Sequence, residues 1–229
     1  MIKLIHYPLD PFSRSIRLAL AECGVDPELE EERPWEWRPE FLRLNPAGSL
    51  PVYSEEGGAL LCGAYSISEY LAECGADERG GGFAFFPGDE EGRAEVRRVV
   101  DWFHSKFDGE VTSYLLEEKV MRRFDPQRGG APDMELVRAA RANLRTHLAY
   151  IGHLADARNW LAGEELSFAD LAAAAHISCV DFLGDVPWEE SEPAKVWYAR
   201  IKSRPSFRVL LEDKVPGFAP SEAYADPDF

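Results

Sequence analysis

Five histidines, four cysteines and the hydroxyl side chains carry whatever acid–base, nucleophilic or metal chemistry this 229-residue chain can do. His6, His104, His147, His153 and His176 lack the spacing of metal ligands, and no Ser-His-Asp arrangement is readable among them. His176 falls in an alanine-rich stretch and reads as a core histidine with its hydrogen bonds satisfied. Cys23, Cys62, Cys74 and Cys179 are scattered without paired spacing. They read as small buried apolar side chains rather than disulfide partners or metal ligands. These residue types predict no catalytic group, no metal site and no bound cofactor.

A different stretch constrains its own backbone more tightly: Asn45-Pro46-Ala47-Gly48-Ser49-Leu50-Pro51-Val52-Tyr53. Pro46 discourages Asn45 from continuing a helix, and Gly48 lets the chain reverse. Pro51 has no N–H and belongs at the first position of a strand. Leu50-Pro51 is therefore a place for a cis peptide bond, against the alternative of a trans proline at a strand edge. Two aromatic residues, Trp35 and Trp37, sit in a polar, proline-flanked loop, where they serve either as packing or as an exposed interaction anchor.

Elements that would position these groups follow from periodicity. Ile2–Tyr7 alternates as a strand, and Ser13–Cys23 has helical spacing stopped by Gly24. Leu29–Glu32 is a short strand, and Pro39–Leu44 a short helix. Val52–Ser54 and Ala59–Cys62 flank a hairpin turn, and Ala64–Cys74 is a helix. This order predicts a small mixed sheet covered by helices over residues 1–79. Residues 80–88 read as a linker, opening on Gly80-Gly81-Gly82. Residues 89–215 carry only helical signals: a long helix, straight or bent, over Asp89–Phe124, then a second from Asp133 to about Ala157. In Leu166-Ser167-Phe168-Ala169-Asp170-Leu171, Ser167 and Asp170 form an acidic capping box, with Leu166 and Leu171 as a hydrophobic staple. Residues 216–229 read as an extended tail, either a frayed end or a binding segment of interleaved aromatics and acids.

The formal net charge of −16 argues against nucleic acid and anionic membrane as partners. No apolar run is long enough to cross a bilayer. Met1–His6 goes straight into a strand without a cleavable signal, so a cytoplasmic protein is expected.

The Asn45–Val52 turn resembles that of the glutathione transferase superfamily, as do the Ser167-x-x-Asp170 box and Trp197-Tyr198-Ala199-Arg200-Ile201-Lys202-Ser203-Arg204-Pro205-Ser206-Phe207. The resemblance implies a thioredoxin-like α/β domain followed by an all-α domain, with a cis Leu50-Pro51 beside the glutathione cysteinyl unit. It also implies a thiolate-stabilising group at the position held here by Asp10, with Ser13 three residues later, and a Glu-Ser carboxylate clamp where Gly63-Ala64 stand. An ionised Asp10 would repel a thiolate, and Ser13 serves either as a substitute or as the helix N-cap. Asp10, Ser13, Leu50, Pro51, Gly63 and Ala64 thus read as a degenerate glutathione site.

Together with the Gly184-Asp185-Val186-Pro187-Trp188 loop and the tail, this resembles one branch of the superfamily, the FzlA-type bacterial division proteins. Membership there implies a non-catalytic homodimer that binds FtsZ polymer at the division site and shapes its curvature. Trp35, Trp37, Phe207, Tyr224, Asp226, Asp228 and Phe229 are the candidate partner-binding residues, with the tail serving binding rather than stability. The alternatives are a glutathione-dependent transferase or isomerase, and an assembly domain for another partner.

Overall fold

The computed structural model describes residues 1–74, 82–124 and 129–226. Gly80, Gly81, Asp228 and Phe229 lie outside the described residues. β1 (Ile2–His6) is central with β3 (Val52–Glu55) in a four-stranded sheet of order β2-β1-β3-β4. β2 (Glu28–Glu31) runs parallel to β1, a pairing that requires a crossover, and α1 (Pro11–Glu22) supplies it. β3 pairs antiparallel with β1 and with β4 (Leu60–Cys62). Leu4 faces Tyr53 across the ladder, and both are fully buried. α2 (Pro39–Leu44) precedes β3, and α3 (Ala64–Glu73) follows β4. This is the thioredoxin-like arrangement, and an all-helical half follows it.

α1 begins before Ser13. Pro11 suits the first helical position, and Asp10 takes the cap, its Oδ2 accepting the Ser13 N–H at 2.6 Å.

The run 90–124, here α4, is one helix with an uncommon winding. Val99, Phe103, Phe107, Val111 and Leu115 recur every fourth residue, and all are fully buried. A regular α-helix would rotate such a row by about 40° at each repeat. The chain corrects this by opening into π-helical turns over Trp102–Thr112 and Glu117–Met121, with α-helical Ser113–Leu116 between them. A π turn holds more than four residues, so mixing the two keeps the row on one face. His104, Asp108 and Thr112 form a second row with the same spacing.

α5 (Met134–Ala157) is capped by Asp133, which accepts the Glu135 N–H at 2.9 Å. α6 (Phe168–Phe182) is buried at every residue, and its alanines let α1 pack closely. The predicted capping box is present, Asp170 Oδ2 accepting from Ser167 N–H at 3.1 Å. Asp170 does more than cap. Its Oδ1 accepts from Leu161 N–H at 2.9 Å and from the indole of Trp197 at 3.0 Å, tying α6 to α7 (Glu192–Lys202).

Beyond residue 215 the sequence predicts an extended tail, but the described part is docked. After α8 (Arg208–Leu211), Ser221 donates its N–H to Phe182 O and its Oγ to Asp181 O. A short helix, α9 (Glu222–Ala225), then buries Tyr224. The reason is aromatic burial: the Tyr224 ring lies 5.3 Å from Phe182, and its hydroxyl donates to Leu210 O at 2.9 Å.

Candidate functional site

A cavity of about 370 Å³ opens where the Leu50 turn and the start of α3 face α4. Phe12, Leu50, Gly63, Ala64, Phe86 and His104 are among its walls. The turn is braced by Asn45, whose Nδ2 donates to Ser49 O at 2.7 Å and whose Oδ1 accepts from Ala47 N–H at 3.2 Å. Leu50-Pro51 is cis, and Pro51 O accepts the Gly63 N–H at 2.9 Å. That bond sets the start of α3 beside the turn. Leu50, Gly63 and Ala64 are thereby brought together on the cavity.

Asp10 and Ser13 do not line it. Asp10 is occupied as the α1 cap, and Ser13, expected as a possible cap itself, is the third helical residue and fully buried. Burial pushes the Asp10 carboxyl up to about 7, opposed by the Ser13 hydroxyl and amide, which favour the ionised form. Gly63 caps α3 with φ +87, so a side chain there would be strained although nothing lies within 4 Å of a Cβ. The lining arginine, Arg97, is already held by Glu69 at 2.7 and 2.9 Å and lies over Phe86 at 4.3 Å. Asp101 accepts from Ser105 Oγ at 3.0 Å. A ligand carboxylate entering this cavity would find the guanidinium already engaged.

At and behind the cavity wall lies a row of buried polar groups whose charged forms are disfavoured by burial, the two histidines being held neutral. Burial lowers His104 to about 4 and His176 well below its ordinary value, and raises Asp108 to about 6. Both imidazoles pack edge-on to Phe12, with ring centres 4.9 and 5.4 Å away. His176 Nδ1 shares a hydrogen bond with Thr112 Oγ1 at 3.0 Å, whereas its Nε2 is buried without a partner among the described residues. The satisfied core histidine read from the sequence is satisfied at one nitrogen only.

The partner-binding candidates divide. Trp35 stacks on Phe124 at 6.1 Å and meets Tyr7 edge-on at 4.9 Å; Phe124 in turn meets Phe218 at 6.0 Å. This half-buried aromatic row joins the first loop, the end of α4 and the C-terminal segment. Trp37 is 63% exposed, is held at φ +49, and lays its ring against Gly48. Asp226 is exposed. Phe207 and Tyr224 are not surface residues: Phe207 is fully buried and meets Tyr198 edge-on at 5.9 Å, and Tyr224 is 2% exposed. Trp188 is structural, stacked on Tyr198 at 4.9 Å with its indole donating to Asp181 at 3.2 Å.

Sequence reasoning missed Phe124 and the buried cations Arg14 and Arg17 of α1. The pair Arg14 and Arg17, one turn apart on the helix that also carries Ile16, Leu18 and Leu20, was the available signal. Among the described residues no three His, Cys, Asp or Glu side chains gather to hold a metal, and no helix is long and apolar enough to cross a membrane.

The family profile for the glutathione S-transferase N-terminal domain matches residues 11–74, and that for the C-terminal domain matches residues 118–205. FtsZ-localized protein A of Caulobacter vibrioides is 44% identical over 229 residues, covering 99% of this chain and 97% of that protein. The chain belongs to the glutathione S-transferase family. Within the family, the crystal structure of a glutathione S-transferase from Sinorhizobium meliloti superposes with a TM-score of 0.93 at 47% identity, covering 100% of both chains. The structure of FzlA from C. crescentus gives a TM-score of 0.92 at 44% identity, covering 100% of this chain and 99% of that one. The Asn45–Val52 turn lies within the first matched range, and the capping box and most of the Trp197–Phe207 segment lie within the second.

Proposed function

We propose that this chain is a non-catalytic member of the glutathione S-transferase family that binds FtsZ filaments at the division site in the cytoplasm. As a homodimer it regulates their curvature. The observation that carries the reading is the 44% identity with FtsZ-localized protein A along 97% of that protein. The cavity supports it: the activator position is taken by a helix cap, the clamp positions hold Gly63 and Ala64, and Arg97 is engaged. The half-buried Trp35 row and the exposed Trp37 offer a surface suited to a protein partner.

Co-sedimentation with polymerised FtsZ tests the binding, and electron microscopy of the pelleted filaments tests the curvature. The chain is expected to pellet only when filaments are present. A chain left in the supernatant overturns the reading.

The second reading, a glutathione-dependent transferase or isomerase, is favoured by one observation. A cavity of about 370 Å³ is open beside the Leu50 turn, with Ser49 and Ser68 among its walls. Turnover of a generic electrophile with glutathione would establish it.

A further inference from the structure

A second concavity, of about 230 Å³, lies against the docked C-terminal segment and shares no lining residue with the first. Its floor is apolar, built from Phe182, Leu183 and Phe218, and its rim carries Lys119 and Arg123. The Lys119 ammonium is held by Asp185 at 2.6 Å, a carboxylate it shares with Arg141, and by Leu183 O at 3.3 Å, so its donors are engaged within the fold. Arg123 differs. It is exposed, its guanidinium lies over the Phe218 ring at 4.7 Å, and it meets no carboxylate among the described residues.

On a chain of net charge −16, an exposed cation without a carboxylate partner among the described residues, beside an open apolar groove, offers a contact for a negative group. Its place over the Phe218 ring also holds the guanidinium near the groove before any ligand arrives. The wall formed by Phe218, Ala219 and Ser221 lies beyond residue 205, where the family profile ends. The other lining residues, Lys119, Arg123, Pro132, Phe182 and Leu183, lie within the matched 118–205 range, so the docked C-terminal segment closes the groove against the helical domain. It is continuous with the Trp35–Phe124–Phe218 row.

We propose that this groove docks a short acidic segment of the filament partner. One apolar side chain enters against Phe182 and Phe218, and a flanking carboxylate bonds Arg123. The partner's identity rests on the FtsZ reading above; the groove's preference for an acidic, apolar-anchored segment rests on its own chemistry. Carboxylate–guanidinium bonds of this kind are charge-assisted and directional.

The test uses the full chain and a fluorescein-labelled peptide, Asp-Asp-Phe-Leu-Asp-Asp, followed by anisotropy, with Lys-Lys-Phe-Leu-Lys-Lys as control. The acidic peptide is expected to bind and the basic one not. Arg123→Glu, a change at an exposed side chain, should weaken acidic-peptide binding and FtsZ co-sedimentation each by at least roughly tenfold. Phe218→Ala should weaken the peptide comparably, with a melting curve to confirm that the variant is folded. Added salt should reduce the contribution of Arg123 but not that of Phe218. Equal binding of both peptides, or an unchanged acidic-peptide affinity in Arg123→Glu, overturns the proposal. Full FtsZ co-sedimentation by Arg123→Glu removes the groove from the filament contact and leaves the filament reading standing. Peptide binding through Arg123 in a chain that ignores FtsZ supports the groove's chemistry and sinks the filament reading.

Discussion

Both terminal nitrogens of Arg17 donate to the carboxylate of Asp213, each at 2.8 Å, across 196 residues of sequence. The pair joins α1 to the stretch after α8, and both side chains are nearly buried. Arg14, one turn earlier, lies 3.6 Å from the same carboxylate and donates to Pro8 O and Ser178 Oγ. Removing one partner of a buried pair leaves an unanswered charge, which typically costs about 3–5 kcal/mol. Asp213→Ala strands two guanidinium groups, so a loss in that range is expected in urea denaturation. A loss below about 1 kcal/mol would show that water reaches these arginines after all.

Tyr224 depends on the same network, since the Arg14 guanidinium lies 5.6 Å from its ring. The sequence suggested that the tail serves binding and not stability; the burial of Tyr224 assigns it a structural share. Tyr224→Ala should cost about 3–5 kcal/mol, and Tyr224→Phe, which removes only the bond to Leu210 O, about 1 kcal/mol. Chemical denaturation of the two variants checks the split. Deleting 223–229 would therefore lower stability and FtsZ binding together.

Glutathione should bind no better than millimolar, because Gly63 and Ala64 provide no side-chain clamp and Arg97 is engaged with Glu69. Isothermal calorimetry showing micromolar affinity would contradict this. Restoring the clamp is not a simple exchange. At φ +87, Gly63→Glu carries a strain of roughly 1–2 kcal/mol, whereas Ala64→Ser starts a helix without strain. Any recovered affinity should therefore appear at lower stability in the double variant than in Ala64→Ser alone.

Local signals carried much of the fold. The Asn45–Val52 turn, the Ser167–Asp170 box and the succession of strands and helices were readable because each depends on neighbours in sequence. The long helix over Asp89–Phe124 was legible too, but the every-fourth-residue row from Val99 to Leu115, whose period of four rather than 3.6 marks the π-helical turns, was not read from it. What stayed hidden depends on distant partners. Tyr224 looked like an exposed anchor because Phe182 and Leu210, which bury it, cannot be placed from the tail's own residues. Ser13 looked like a cap because Pro11 and Asp10 start the helix earlier. The C-terminal groove needs Lys119, Phe182 and Phe218 at once, and no local pattern unites them.

Acid should destabilise the protein through its buried histidines. His176 is fully buried and its pKa lies well below 6.5 in the folded state, while His104 is lowered to about 4. A folded pKa below the unfolded one means the folded state disfavours the charged form. Stability from these residues is complete above about pH 6.5 and is lost as pH falls toward the folded values. Asp108, 3.8 Å from His176 and raised to about 6, acts in the opposite direction as it takes up its own proton. His176→Phe should flatten the fall between about pH 6.5 and 4 by up to one proton, roughly 1.4 kcal/mol per pH unit. Denaturant midpoints across that window measure it, and parallel slopes for the two proteins would refute it.

Trp37 provides the sharpest separation of binding from folding. An indole that is 63% exposed contributes little to the core, yet its backbone is held at φ +49, where a bulky residue is disfavoured. The ring lies against Gly48 of the same turn that shapes the cavity, where a Cβ would come within 3.2 Å of it, so Gly48 leaves room for the indole. Strain kept at an exposed aromatic points to use at a contact. Trp37→Ala should change stability by less than about 1 kcal/mol, since lost packing is offset by the small area involved. FtsZ co-sedimentation should weaken by at least roughly tenfold, the usual scale for a central aromatic anchor. Trp37→Phe should restore part of that affinity. A variant that melts early and binds weakly in proportion would mean that Trp37 is packing and that the filament contact lies elsewhere.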